Sequence, residues 1–150
     1  MLQAWQKKKR DIFGGIPKSL PALLQAKLIQ ERAARNRFDW PGIEGPMAKL
    51  GEELGEVRRA IRRGRKRQVA LELGDLLFSV VNVSRFLKVD PEAALRQTNC
   101  KFVGRFQKVI RALKSRGKDL GQADSAEMDR LWEKAKGPRV RRSVHPKQRC

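Results

Sequence analysis

Four carboxylates stand in two pairs of equal spacing. Glu53 and Glu56 lie in the string EELGEVRR, and Glu72 and Asp75 lie in ELGDLLFS. Residues three apart are neighbours on a helix surface, so each pair would present two acids side by side. The second pair opens the stretch ELGDLLFSVVNVSRFL (72–87), which is apolar on nearly every helical face. A charge buried in such surroundings is costly without a partner or a metal. Four like charges brought together would also repel one another. A hard divalent cation removes both difficulties, because Mg²⁺ prefers oxygen ligands and commonly keeps waters and substrate phosphates in its shell. The competing reading for Glu53 and Glu56 is a solvated position with Arg58, Arg59 or Arg62 as partner.

The elements that would position these acids are helices. No stretch shows convincing strand alternation, and the expected fold class is all-α. In the helix expected over 46–64, Leu50, Leu54, Val57 and Ile61 form one stripe, flanked by Lys49, Glu53 and Glu56. In the next, over 66–87, Glu72, Asp75 and Ser79 share a side and Asn82 lies close to it. Gly64 sits in the short link, which suits an antiparallel hairpin that would let the two pairs converge. A helix is expected over 19–38 with Ser19 as its cap, then a Pro- and Gly-containing loop over 39–46. Phe38 and Trp40 beside that loop could stack on a base or serve the core. Asp90 as N-cap and Pro91 at the first helical position open a helix over 89–117. A last short helix over 125–137, capped by Ser125, stops at Gly137-Pro138.

The ordered series EELGE…ELGD resembles the EExxE…ExxD signature of the MazG family of nucleoside triphosphate pyrophosphohydrolases. The likeness spans residues 1 to 137. IPKSLPALLQAKLIQERAARNRFDWP resembles the segment leading into the family's metal helix. ELGDLLFSVVNVSRFLKVDPEAALRQTNCKFVGRF resembles its second metal helix and the phosphate-contacting helix that follows, and MDRLWEKAKG its closing helix. The resemblance implies an all-α helical bundle, a homodimer, and Mg²⁺-dependent hydrolysis of an NTP to NMP and pyrophosphate, with Mn²⁺ as an alternative ion. It implies Glu53, Glu56, Glu72 and Asp75 as metal ligands. Lys49 and Glu52 fall in the substrate-contacting start of the motif. Lys101 and Arg105, in KFVGR, would contact the triphosphate, with Asn99 assisting. Trp132 matches a position near the nucleotide, and an anchor in the core is the equal alternative for it. Glu52 or Glu53 would orient or deprotonate the attacking water. The family often carries two tandem domains, and this sequence is most like the C-terminal, catalytically competent kind.

At 150 residues one domain is the default expectation, here residues 1–137 followed by a basic, disordered tail at 138–150. Such a chain buries roughly two-thirds of its unfolded surface. There is no apolar run of membrane-spanning length and no apolar core to a signal peptide. Two cysteines, Cys100 and Cys150, form neither a metal spacing nor a disulfide framework, which favours a reducing, cytoplasmic setting. The lone His145 makes no metal site by itself.

The charge is lopsided: 35 Lys and Arg against 16 Asp and Glu give +19. Residues 58–67 hold seven cations and no acid, 136–150 hold six and no acid, and 7–10 add four. Such runs attract polyanions, and weak nonspecific nucleic-acid binding is expected of them. The alternative function is therefore a basic helical nucleic-acid-binding protein without catalysis, which would have no need of Glu53 or Glu72.

Overall fold

The computed structural model describes residues 11–137 and is all-helical over that range. Five α-helices follow one another: α1 (Ala22–Arg35), α2 (Glu44–Arg62), α3 (Lys66–Phe86), α4 (Pro91–Lys114) and α5 (Ser125–Lys136). A short 3₁₀ turn at Leu120–Gln122 precedes α5. The chain divides into two compact units between Ala94 and Leu95. The segments 1–10 and 138–150, which include the expected tail, His145 and Cys150, lie outside the described residues.

In the first unit α3 packs against α2 and against α1. The turn between α2 and α3 is short because Arg63 closes α2 and Gly64 takes φ +65°, a left-handed conformation that glycine adopts without a Cβ clash. Helix α2 buries Glu53, Val57 and Ala60, spaced i, i+4, i+7, together with Pro46 nearer its start. Glu53 is therefore one more member of the buried stripe, and it is the member that carries charge. Helix α3 departs from the expectation of a buried apolar rod. Only Ser79 and Val81 are buried, while Leu71, Leu73, Leu77, Phe78 and Val80 are between 43% and 63% exposed.

The expected boundaries stand to within three residues: α1 stops at Arg35 rather than 38 and α4 at Lys114 rather than 117, and three starts or caps differ. α1 begins at Ala22 after Pro21 rather than under a Ser19 cap; Gln25 instead donates to the carbonyls of Lys18 and Leu20. α2 begins two residues before Pro46, which is tolerated because the amide N–H of a first-turn residue has no intrahelical acceptor. Asp124 caps α5 in place of Ser125, accepting from the Glu127 N–H at 2.7 Å. A carboxylate there also meets the positive end of the helix dipole. Asp90 caps α4 as expected, accepting from the Ala93 N–H at 2.9 Å.

The loop before α2 is tied to α3 by Asp39 and Arg85, a two-pronged contact at 2.5 and 2.9 Å. Trp40 lies over Gly45, where a Cβ would collide with its indole ring. In the second unit Val109 and Leu113 of α4 form a small core with Leu131 of α5. Glu127, buried, accepts from Arg116 at 3.0 Å and Lys118 at 2.8 Å. These hydrogen bonds, that from Lys118 foremost, hold its carboxyl below the usual carboxylate range.

Candidate active site

Helices α2 and α3 bring three of the four paired acids together. One carboxylate oxygen from each of Glu53, Glu72 and Asp75 lies within 4.8 Å of the others. Their environments are graded, with Glu53 buried, Glu72 half-buried and Asp75 exposed. The set is all carboxylate oxygen, open on one side, and of the size a hard divalent cation takes while keeping waters or phosphate oxygens. The donor chemistry therefore fits Mg²⁺ or Mn²⁺.

Glu56, the fourth expected ligand, is turned to Arg59, which donates to both of its carboxylate oxygens. That pairing holds the Glu56 carboxyl below the ordinary range and the Arg59 guanidinium above its own. It is the solvated ion pair that the spacing allowed as an alternative.

Lys49 lies one turn before Glu53 and is shared by two acids. Its ammonium is 2.6 Å from Glu53 and 3.1 Å from Glu52. The contact with Glu53, and next that with Glu52, raises the Lys49 pKa above the ordinary lysine value. Glu52 is exposed, and its carboxylate points at the same cation that neutralises the buried Glu53.

Two glutamines supply contacts that pattern reading did not single out. Gln68 donates to Glu72 at 3.1 Å from the preceding turn of α3; the i, i+4 Gln–Glu spacing was the available signal. Gln30 of α1 is buried, donates to the Phe78 carbonyl at 2.8 Å, and leaves its Oε1 without a partner. Nothing in the helical periodicity marks that position as polar.

The remaining expected residues belong to the second unit. Asn99 and Lys101 are exposed and Arg105 is half-buried, all on α4. Lys101 and Arg105 are i, i+4 and share one face. Trp132 is half-buried, packs beside the Val109–Leu113–Leu131 core, and meets Phe102 with ring centroids 5.2 Å apart. Phe102 in turn stacks on Phe106 at 6.1 Å. This placement favours the core-anchor reading of Trp132, which is nonetheless only half-buried. Cys100 is not a free thiol, so the reading of two unpaired cysteines does not hold for it. Among the described residues no helix is long and apolar enough to cross a membrane.

Comparison with known proteins finds a family model and several similar proteins. Residues 42–110, which contain all four paired acids with Lys49, Lys101 and Arg105, match the model of the MazG nucleotide pyrophosphohydrolase domain. The chain is 46% identical over 131 residues to a nucleoside triphosphate pyrophosphohydrolase/pyrophosphatase of Thermotoga maritima, covering 87% of this chain and 50% of that protein. It is 38% identical over 133 residues to a nucleoside triphosphate pyrophosphohydrolase of Escherichia coli, covering 87% and 51%. An uncharacterized Bacillus subtilis protein, YabN, is 37% identical over 127 residues, covering 84% of this chain and 26% of that protein. The chain thus spans about half the length of the pyrophosphohydrolases it matches.

Proposed function

We propose that the chain is a MazG-type nucleotide pyrophosphohydrolase domain that hydrolyses nucleoside triphosphates to the monophosphate and pyrophosphate with the help of a divalent cation. The observation that carries this reading is the convergence of Glu53, Glu72 and Asp75 from two adjacent helices. Those three residues would hold the cation, with Glu56 joining them on release from Arg59. When bound, Mg²⁺ supplies Lewis acidity and neutralises charge on the phosphates.

The protein's own groups do the rest. Glu52, exposed beside the cluster, is suited to orient the attacking water and to take its proton. Lys49 offsets the charge of the buried Glu53 and is within reach of an anionic substrate at the same place. Lys101 and Arg105 present two cations on one helix face, the arrangement that binds phosphate oxygens by charge-assisted hydrogen bonds and stabilises a pyrophosphate leaving group. Asn99 assists them, and the half-buried Trp132 contacts the nucleotide.

Three further statements belong to this reading. The catalytic body is residues 1–137, and 138–150 is a basic tail that hydrolysis does not need. The active form is a homodimer. Its support is the exposed apolar stripe Leu73, Leu77 and Val80 on α3 and a second, Met47, Leu54 and Ile61, on α2, which a second copy would cover. Weak sequence-independent association with nucleic acid accompanies the basic runs. The alternative of a non-catalytic nucleic-acid-binding protein gives no role to three converging carboxylates.

The test is a panel of standard and damaged NTPs with Mg²⁺, with products resolved chromatographically. NMP and pyrophosphate are expected. NDP with orthophosphate as the first products would exclude attack at the α-phosphorus.

A further inference from the structure

The turn that closes the α2–α3 hairpin is an unusual concentration of charge. Arg58, Arg62, Arg63, Arg65, Lys66 and Arg67 are all exposed there, within ten residues that contain no acid. None of the six makes an ion pair among the described residues. The seventh, Arg59, is already committed to Glu56.

Fold stability does not account for this arrangement. Cations at the end of α2 complement its dipole, but Lys66 and Arg67 occupy the first turn of α3, where positive charge is unfavourable. That turn holds no acid, and its N-cap Arg65 makes no side-chain capping bond. Six like charges on one tip repel one another as well, and a polyanion would relieve both penalties at once.

We propose that the α2–α3 tip, residues 58–67, is a docking surface for the phosphodiester backbone of nucleic acid, separate from the hydrolytic centre and independent of its chemistry. Five of the six free cations are arginines, whose planar forks bind phosphate oxygens in pairs. The run has no aromatic residue to stack on bases or to anchor in a bilayer interface, and Ile61 is its one exposed large apolar side chain. Those two facts favour backbone contact without base readout over membrane attachment, which needs a broad apolar face. Arg63 lies ten residues beyond Glu53 on one helix and its cap, about 15 Å along the axis, and Arg67 lies five residues before Glu72 on α3, about 7.5 Å. A bound duplex at the tip would leave the carboxylates open, so hydrolysis and docking can proceed together. The consequence is an NTP hydrolase held close to nucleic acid.

The experiment titrates the full chain with a fluorescent 20-base-pair duplex of arbitrary sequence across a salt series, in parallel with a variant carrying R62Q, R63Q, R65Q, K66Q and R67Q. Five fewer phosphate contacts should weaken binding more than about tenfold near 0.1 M salt and flatten the log–log salt slope by about 4. Turnover of NTP should be unchanged, since none of the five residues is assigned to catalysis. A second variant, R62K, R63K, R65K and R67K, preserves the charge and should keep most of the affinity, which separates loss of the surface from loss of the fold. The proposal is overturned by equal binding and slope in parent and Gln variant, which would move the contact elsewhere in the chain. Absence of duplex binding by the parent at low salt overturns it too. So does binding to phosphatidylserine vesicles but not to duplex. A fall in kcat/KM for NTP with duplex binding intact would show that the cluster steers substrate instead, and would likewise overturn it.

Discussion

The ammonium of Lys49 lies 2.6 Å from Oε1 of Glu53, the one buried carboxylate of the cluster. A buried acid one turn away from a half-exposed lysine is neutralised from the solvent side. The pair raises the lysine's pKa, so the ammonium stays charged throughout the neutral range.

Replacing Lys49 by Met should therefore leave Glu53 without its cation. Without divalent ions the variant is expected to melt below the parent. Added Mg²⁺ should raise its melting temperature by more than it raises the parent's, because a ligand stabilises the state that binds it and no ammonium now competes. Thermal melts of both proteins with and without Mg²⁺ decide the matter. An identical Mg²⁺ shift in the two would show that Lys49 and the cation do not share Glu53.

Glu72→Gln separates a ligand from a structural acid. The amide keeps the shape of the side chain and can still bond to Gln68. Like-charge repulsion with Glu53 and Asp75 is relieved, so the metal-free protein should be no less stable. Hydrolysis should fall by about two orders of magnitude or more, as expected when a group that stabilises developing charge is lost. The Mg²⁺ shift in melting temperature should shrink with it. Strong destabilisation without metal, and an unaltered shift, would remove Glu72 from the ligand set.

Trp132 can be read by two substitutions. Trp132→Ala opens a void beside Val109, Leu113 and Leu131 and gives up the ring contact with Phe102, at a cost of about 3 kcal/mol. Trp132→Phe retains most of that packing. If the indole also touches the nucleotide, the Phe variant should fold normally and show a raised KM with little change in kcat. Unchanged kinetics in a folded Phe variant would make Trp132 an anchor and nothing more.

Acid should loosen the first unit through Asp39. Its hydrogen bonds with Arg85 hold the Asp39 carboxyl below the ordinary aspartate value. A depressed folded-state pKa contributes stability above the unfolded value, and that stability is lost as pH falls through the lower folded value. The melting temperature should therefore drop from about pH 5 toward pH 3, in part because this pair breaks. Asp39→Asn should lower the melting temperature at pH 7 and flatten the acid limb. Parallel acid limbs in parent and variant would assign the acid sensitivity to other carboxylates, Glu127 first among them.

The helices, their order and the hairpin were legible in the residues alone, because apolar spacing and the signals Gly64, Asp90 and Pro91 act over a turn or two of chain. The paired acids were legible for the same reason: i, i+3 spacing is a local property of a helix surface. What the pattern could not decide was which of two equal neighbours turns inward. Glu53 shares the buried stripe of Val57 and Ala60, whereas Glu56 lies off that stripe and within reach of Arg59. That choice depends on where α2 meets α3, a fact of packing absent from either string. The exposure of Leu73, Leu77 and Val80 is likewise tertiary. A helix apolar all round announces that it will be covered, and only the assembled fold shows that α1 and α2 leave part of it bare. The buried Gln30 with its unpartnered oxygen and the clamp of Arg85 on Asp39 join residues 48 and 46 positions apart, a separation over which helical periodicity carries no information.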